Sequence, residues 1–130
     1  MIGMTKKDFN LLIVDDIIMN RILLKEISAE FAGKVLEAEN GDKAIQVLKS
    51  NKVDLIFMDI EMPVMNGLET TRYIRNEMEH PYCRIPIIAL TAYNPADFFA
   101  DFKKEGFDEL LIKPYSIEKV INVLSSVDFV

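Results

Sequence analysis

The chain has 130 residues, half of them apolar, which suits one globular domain with its own core and leaves no room for a second of ordinary size. Its 21 acidic residues outnumber 15 basic ones for a formal charge of -6, without a Lys/Arg-rich run, so neither a nucleic-acid backbone nor an anionic membrane is an expected partner. No apolar run approaches the roughly 20 residues that span a bilayer, and Cys83, the only cysteine, excludes an internal disulfide, as suits a reducing cytoplasm.

Residues 1–8 read as an N-terminal extension; Asp15 and Asp16 interrupt the apolar stretch that follows, which argues against a secretory signal. The domain then spans 9–127, with 128–130 as a short tail. Residues 9–14 form an apolar run rather than an alternating one, the pattern of a strand buried on both faces. Helical periodicity over 17–31 places Ile18, Ile22, Ile27 and Phe31 on one stripe, widened by Leu23 and Leu24, with Gly33 as a stop signal. A second strand covers 34–38, and Asn40 caps a second helix carrying Ala44, Ile45, Val47 and Leu48. Residues 53–58 make a third strand, 67–78 a third helix and 87–90 a fourth strand. Asn94-Pro95 opens a fourth helix that Gly106 ends. Residues 107–112 make a fifth strand, and Ser116 caps a closing helix over 116–126. Five successive β–α units with apolar strands predict an α/β, doubly wound parallel sheet covered by five helices on its two faces.

In such a sheet, ligands bind beyond the carboxyl ends of the strands. The first strand delivers Asp15 and Asp16 there, the third Asp59, the fourth Thr91 and the fifth Lys113. Three carboxylates held together repel one another unless a cation joins them, and an oxygen-only ligand set suits Mg²⁺, which bridges carboxylate to phosphate. Asp59 can then act as a nucleophile toward phosphorus, while Lys113 neutralises phosphate oxygens and the Thr91 hydroxyl donates to one. Taken singly, each of these residues also reads as an ordinary turn, cap or solvated group; the five together at one rim do not.

The stretches 12–16 (Leu-Ile-Val-Asp-Asp) and 58–67 (Met-Asp-Ile-Glu-Met-Pro-Val-Met-Asn-Gly), with the pairs Thr91-Ala92 and Lys113-Pro114, resemble the receiver domains of two-component response regulators, in order and with normal spacing. That resemblance implies a flavodoxin-like sheet of order 2-1-3-4-5. It implies Asp59 as phosphoacceptor, Asp15 and Asp16 as the acidic pair of the Mg²⁺ site, a metal-facing backbone carbonyl at Glu61, Thr91 as switch hydroxyl and Lys113 as phosphate contact. It also implies a cis Lys113-Pro114 bond, and a donor phosphohistidine on a sensor histidine kinase or a histidine phosphotransfer protein. The chain departs from the family at Leu110, where many receivers carry a Tyr or Phe that swings inward on phosphorylation. Glu61 and Tyr93, each two residues beyond a site residue, match positions that tune hydrolysis of the acyl phosphate.

Partner surfaces follow from the same placement. Of Ile17 and Ile18, one is expected to face the core and the other to lie exposed beside the site for a helical partner, with Pro114 and Tyr115 extending the patch. Phe98 and Phe102, four apart, are expected in the core, which turns Phe99 toward the face of the fourth helix, fifth strand and fifth helix that the family uses for output or dimerisation. Two other functions fit the fold: an aspartate-based phosphatase or phosphotransferase, for which the chain lacks the length of a cap domain, and a phosphorylation-independent interaction module, against which the full site set argues.

Overall fold

A computed structural model describes residues 9–62, 65–92 and 102–127. Five strands, β1 (Asn10–Val14), β2 (Lys34–Ala38), β3 (Leu55–Asp59), β4 (Ile87–Thr91) and β5 (Glu109–Ile112), form one parallel sheet of order β2-β1-β3-β4-β5. The described helices are α1 (Ile18–Ser28), α2 (Gly41–Ser50), α3 (Gly67–Glu77) and the closing helix α4 (Ile117–Ser126), with a single 3₁₀ turn at Tyr82–Arg84. The helix expected after Asn94-Pro95 lies largely outside the described residues, together with Tyr93, Phe98 and Phe99. Phe102, at its end, is helical and buried as expected.

The strands are apolar throughout because both faces are covered. Side chains alternate across a strand, so Leu12, Val14, Ile56, Met58, Ile87, Ala89 and Leu110 pack with Ala44 and Leu48 of α2 and Ile74 of α3. Leu11, Ile13, Leu55, Phe57, Ile88, Leu90 and Leu111 pack on the other side with Leu24 of α1 and Val120 and Leu124 of α4. Caps fix where the helices begin. Asn40 Oδ1 accepts from Lys43 N at 2.9 Å, and Ser116 Oγ from Lys119 N at 3.1 Å. At α3, Asn66 and Glu69 form a reciprocal capping box, 2.9 Å and 3.1 Å, so the helix starts at Gly67, the first residue of the expected range. Gly67 is needed for proximity: a Cβ there collides with the backbone of Asp59 and Ile60. Gly106, at φ +104°, takes the left-handed turn expected of it.

The first helix corrects the sequence reading. It ends at Ser28, and the following turn returns Phe31 N and Ala32 N to Ser28 O, both at 2.9 Å. Its buried line runs through Leu24 and Ser28, with Ile27 partly covered, while Ile18, Ile22 and Leu23 are exposed. The inward positions one turn earlier belong to Asn20 and Arg21, both partly buried, which leaves the isoleucines outside.

Candidate functional site

Each strand named in the motif hands its residue to the same rim. Asp15 follows β1 directly; its N–H continues the pairing to Ala38 O at 3.1 Å, which holds the residue fully buried at the sheet edge. Its Oδ1 accepts from Ile17 N at 2.9 Å, a local turn that sets up α1. Its Oδ2 is buried with no hydrogen-bond partner. Asp16 beside it is exposed, and Asp59, the last residue of β3, is buried. One carboxylate oxygen from each of Asp15, Asp16 and Asp59 falls within 4.8 Å of the others. Thr91 ends β4, buried, and its carbonyl accepts from Lys113 N at 2.8 Å, so the lysine's backbone is tied to the strand that carries the hydroxyl.

The electrostatics of this rim are unresolved by the protein alone. Lys113 Nζ stands 3.7 Å from Asp59 Oδ2 and 4.0 Å from Asp15 Oδ2, close enough to attract both and too far to hydrogen-bond either. Asp59 Oδ1 accepts from Glu61 N at 3.2 Å. Burial and the negative charge of Asp15 push the Asp59 carboxyl up to about 7, against the opposing pull of Lys113 and the Glu61 N–H. The carboxylates of Asp15, Asp16 and Asp59 could hold a divalent cation, whose charge would offset the repulsion between Asp15 and Asp59 and favour ionised Asp59. Oxygen donors alone, and few of them, fit Mg²⁺.

Other expected residues are placed as follows. Glu61 is exposed, with its backbone beside Asp59, and Lys113-Pro114 is a cis peptide, as is His80-Pro81. Leu110 is buried among the α2/α3-side core residues, so an aliphatic side chain fills the position of the family's rotating ring. Ile17 and Ile18 are both exposed, at 50% and 58%, which corrects the expectation that one would turn inward: Ile17 is the N-cap and Ile18 opens the helix on its solvent side. Pro114 is exposed, but Tyr115 is half-buried against the α1/α4-side core and its hydroxyl is fully covered, so it adds little to an exposed patch.

Sequence reasoning missed Arg21, Lys119 and the breadth of the apolar surface. Arg21 Nη1 donates to Asp15 O at 2.7 Å and its Nε to Glu37 at 3.1 Å, pinning the loop that carries the acidic pair; an arginine three residues before Leu24 and seven before Ser28, hence on their face of the helix, was the available signal. Lys119 Nζ donates to Pro114 O at 2.9 Å and Ile112 O at 3.3 Å, bracing the loop that carries Lys113. Met19, Ile22, Leu23 and Ile117 are exposed along with the two isoleucines. A cavity of about 510 Å³ lies at the other end of the strands, between 49–54 and 80–86, and shares no residue with this rim.

Residues 11–125 match the family described as the response regulator receiver domain, and the chain belongs to it. Among curated relatives, it is 32% identical over 122 residues to the CAI-1 autoinducer sensor kinase/phosphatase CqsS of Vibrio cholerae, covering 94% of this chain and 18% of that protein. It is 34% identical over 114 residues to the sensor histidine kinase GacS of Pseudomonas protegens, covering 87% of this chain and 12% of that one. The chain thus spans under a fifth of these relatives' lengths. Among solved structures, the chemotaxis protein CheY4 of Vibrio cholerae superposes with a TM-score of 0.83 at 26% identity, covering 94% of this chain and all of that one. The receiver domain of the sensor histidine kinase PA1611 of Pseudomonas aeruginosa, solved with a magnesium ion in its active-site cleft, gives 0.78 at 27% identity, covering 92% and 96%. No helix among the described residues is long and apolar enough to cross a membrane.

Proposed function

We propose that this receiver domain takes a phosphoryl group onto Asp59 from a phosphohistidine, with Mg²⁺ held by Asp15, Asp16, Asp59 and the Glu61 carbonyl. The observation that supports the reading is the under-satisfied buried charge at the rim: Asp15 Oδ2 has no hydrogen-bond partner, and Lys113 stands at ion-pair but not hydrogen-bond distance from both inner carboxylates. When bound, the cation neutralises oxygens of both the acids and the phosphoryl group. The chain's own part is positional. An ionised Asp59 oxygen forms the new O–P bond as the P–N bond to the donor imidazole breaks, and the electron pair of that bond leaves with the ring nitrogen. Lys113 draws on an oxygen of the transferred group, and the Thr91 hydroxyl donates to another. Because Lys113 N is bonded to Thr91 O, the two residues respond together. With Leu110 where other receivers have an aromatic ring, readout runs through this β4–β5 pair.

The donor side of the exchange is read from the surface. Ile17, Ile18, Met19, Ile22, Leu23 and Ile117 give an apolar face next to Asp16, suited to the helices of a sensor kinase or phosphotransfer protein. The sensor-kinase names of the relatives support that class of partner. The functional unit is residues 9–127, acting as a signalling acceptor rather than a turnover enzyme. Incubation with acetyl phosphate and Mg²⁺ tests the reading: intact mass rises by one phosphoryl group in the wild type and is unchanged in Asp59→Asn. Repeated turnover of small phosphate esters would instead favour a phosphatase.

A further inference from the structure

Asp15 is held at three of its four polar atoms. Its N–H donates to Ala38 O at 3.1 Å, its Oδ1 accepts from Ile17 N at 2.9 Å, and its backbone carbonyl accepts from Arg21 Nη1 at 2.7 Å. Oδ2, 4.0 Å from Lys113 Nζ, is left without a hydrogen bond. Of the three groups that hold Asp15, two are backbone and only Arg21 is a side chain. Arg21 is itself anchored. Its side chain is 14% exposed, its Nε donates to Glu37 Oε1 at 3.1 Å, and Lys25 Nζ takes the other Glu37 oxygen at 3.3 Å. Glu37 stands on β2, paired in register with Ile13 of β1. The guanidinium therefore reaches from the sheet to the loop of the acidic pair, and its planar fork ties the two bonds to one geometry.

We propose that Arg21 is a positioning residue of the acidic site: by holding the Asp15 carbonyl at a fixed place relative to Glu37, it sets how the Asp15 and Asp16 carboxylates present themselves to a divalent cation. The inference rests on the Mg²⁺ reading above. The carbonyl that Arg21 holds belongs to the planar peptide joining Asp15 to Asp16, so one bond orients both acids. Groups behind the ligands set ligand orientation, and their loss commonly weakens metal binding by about 10–100-fold. Charge alone argues in the opposite direction. Arg21 is a cation beside a cation site, so on Coulombic grounds its removal strengthens Mg²⁺ binding. An arginine kept only to join α1 to β2 would leave the affinity unchanged or raised. The sign of the change thus separates positioning from charge and from packing.

Arg21→Met keeps the apolar stem and deletes the donors and the charge. Calorimetric titration of the metal-free, folded protein with Mg²⁺ is expected to show roughly tenfold weaker binding in this variant than in wild type. Arg21→Lys keeps the charge, but a single amine cannot reproduce the two-nitrogen fork. Its affinity is expected to fall between the other two, and it serves as the test if Arg21→Met does not fold. A second measurement reads the loop directly. The Ile17 amide, bonded to Asp15 Oδ1, is expected to exchange with solvent faster in either variant, measured relative to the Ile13 amide of β1. Mg²⁺ binding as tight as wild type, or tighter, in Arg21→Met or Arg21→Lys overturns the proposal, and so does an Ile17 amide that exchanges no faster. If the wild type itself binds no Mg²⁺, the reading of the site fails instead, which keeps the two failures distinct.

Discussion

The two edges of the sheet carry similar charges and treat them in opposite ways. At the amino-terminal edge the partly buried Arg75 finds a partner for each of its donors that points inward. Arg75 of α3 donates to Cys83 O and Gly106 O, each at 2.9 Å, to Ile85 O at 2.7 Å and to Asp108 at 2.9 Å. Asp108 in turn accepts from Ile87 N at 2.8 Å, at the start of β4, and Asp54 accepts from Asn10 N at 2.8 Å, at the start of β1. At the carboxyl-terminal edge Asp15 keeps an oxygen without a partner, and Lys113 reaches neither acid within hydrogen-bonding distance. The folded chain evidently has donors enough to satisfy carboxylates where it needs cohesion. Charge left unsatisfied at one edge is therefore the mark of a site whose remaining partners come from outside.

That contrast can be broken from either side. The largest stability effect belongs to Arg75: Arg75→Ala leaves Asp108 and three carbonyls short of a donor, and is expected to cost about 3 kcal/mol in denaturant unfolding. Its folded fraction should still label with acetyl phosphate at the wild-type rate. An Asp59→Asn protein should move the other way. With its carboxyl raised to about 7 from 3.8, Asp59 binds a proton more tightly folded than unfolded, so its contribution is fully present below about pH 4 and is lost as pH climbs through 7. Metal-free wild type should therefore lose stability between pH 5 and pH 8 relative to Asp59→Asn, by about 2 kcal/mol. Parallel unfolding curves across that range would show that Asp59 is not strained by its surroundings.

Smaller effects sharpen the account of the rim. Ile18→Asp places a charge on the exposed face beside Asp16 and is expected to slow transfer from a phosphohistidine partner about tenfold. Labelling by acetyl phosphate, which needs no docking, should be unchanged; equal losses with both donors would locate the defect in the site instead. Glu61 is exposed one residue beyond the loop start at Ile60, where an acidic side chain can hinder attacking water. Glu61→Ala is expected to shorten the phosphoform's half-life about twofold to threefold, at about 1 kcal/mol or less of barrier, measured as phosphate release after the donor is removed.

The strands were legible because burial on both faces leaves uninterrupted apolar runs, and the rim followed from them, since Asp15, Asp59, Thr91 and Lys113 each stand where such a run stops. The first helix was not. A stripe through Ile18 and Ile22 scores as well by periodicity as the true line through Leu24 and Ser28, and what decides between them is Arg21, turned inward to reach Asp15 O and Glu37. Glu37 sits on a neighbouring strand, which no local pattern reports. Similarly, Val53 and Asp54 read as strand but lead into it, with Asp54 committed to Asn10 across the sheet edge. The covered hydroxyl of Tyr115 depends on how its loop lies against α1 and α4, so a sequence places the residue but not its donor.

The central claim is tested most directly by mapping the phosphoryl group with tandem mass spectrometry after treatment with acetyl phosphate, with and without Mg²⁺. The account predicts modification of Asp59 alone, and none once the metal is chelated. Phosphorylation at another residue, or labelling of Asp59 that is indifferent to Mg²⁺, would contradict it.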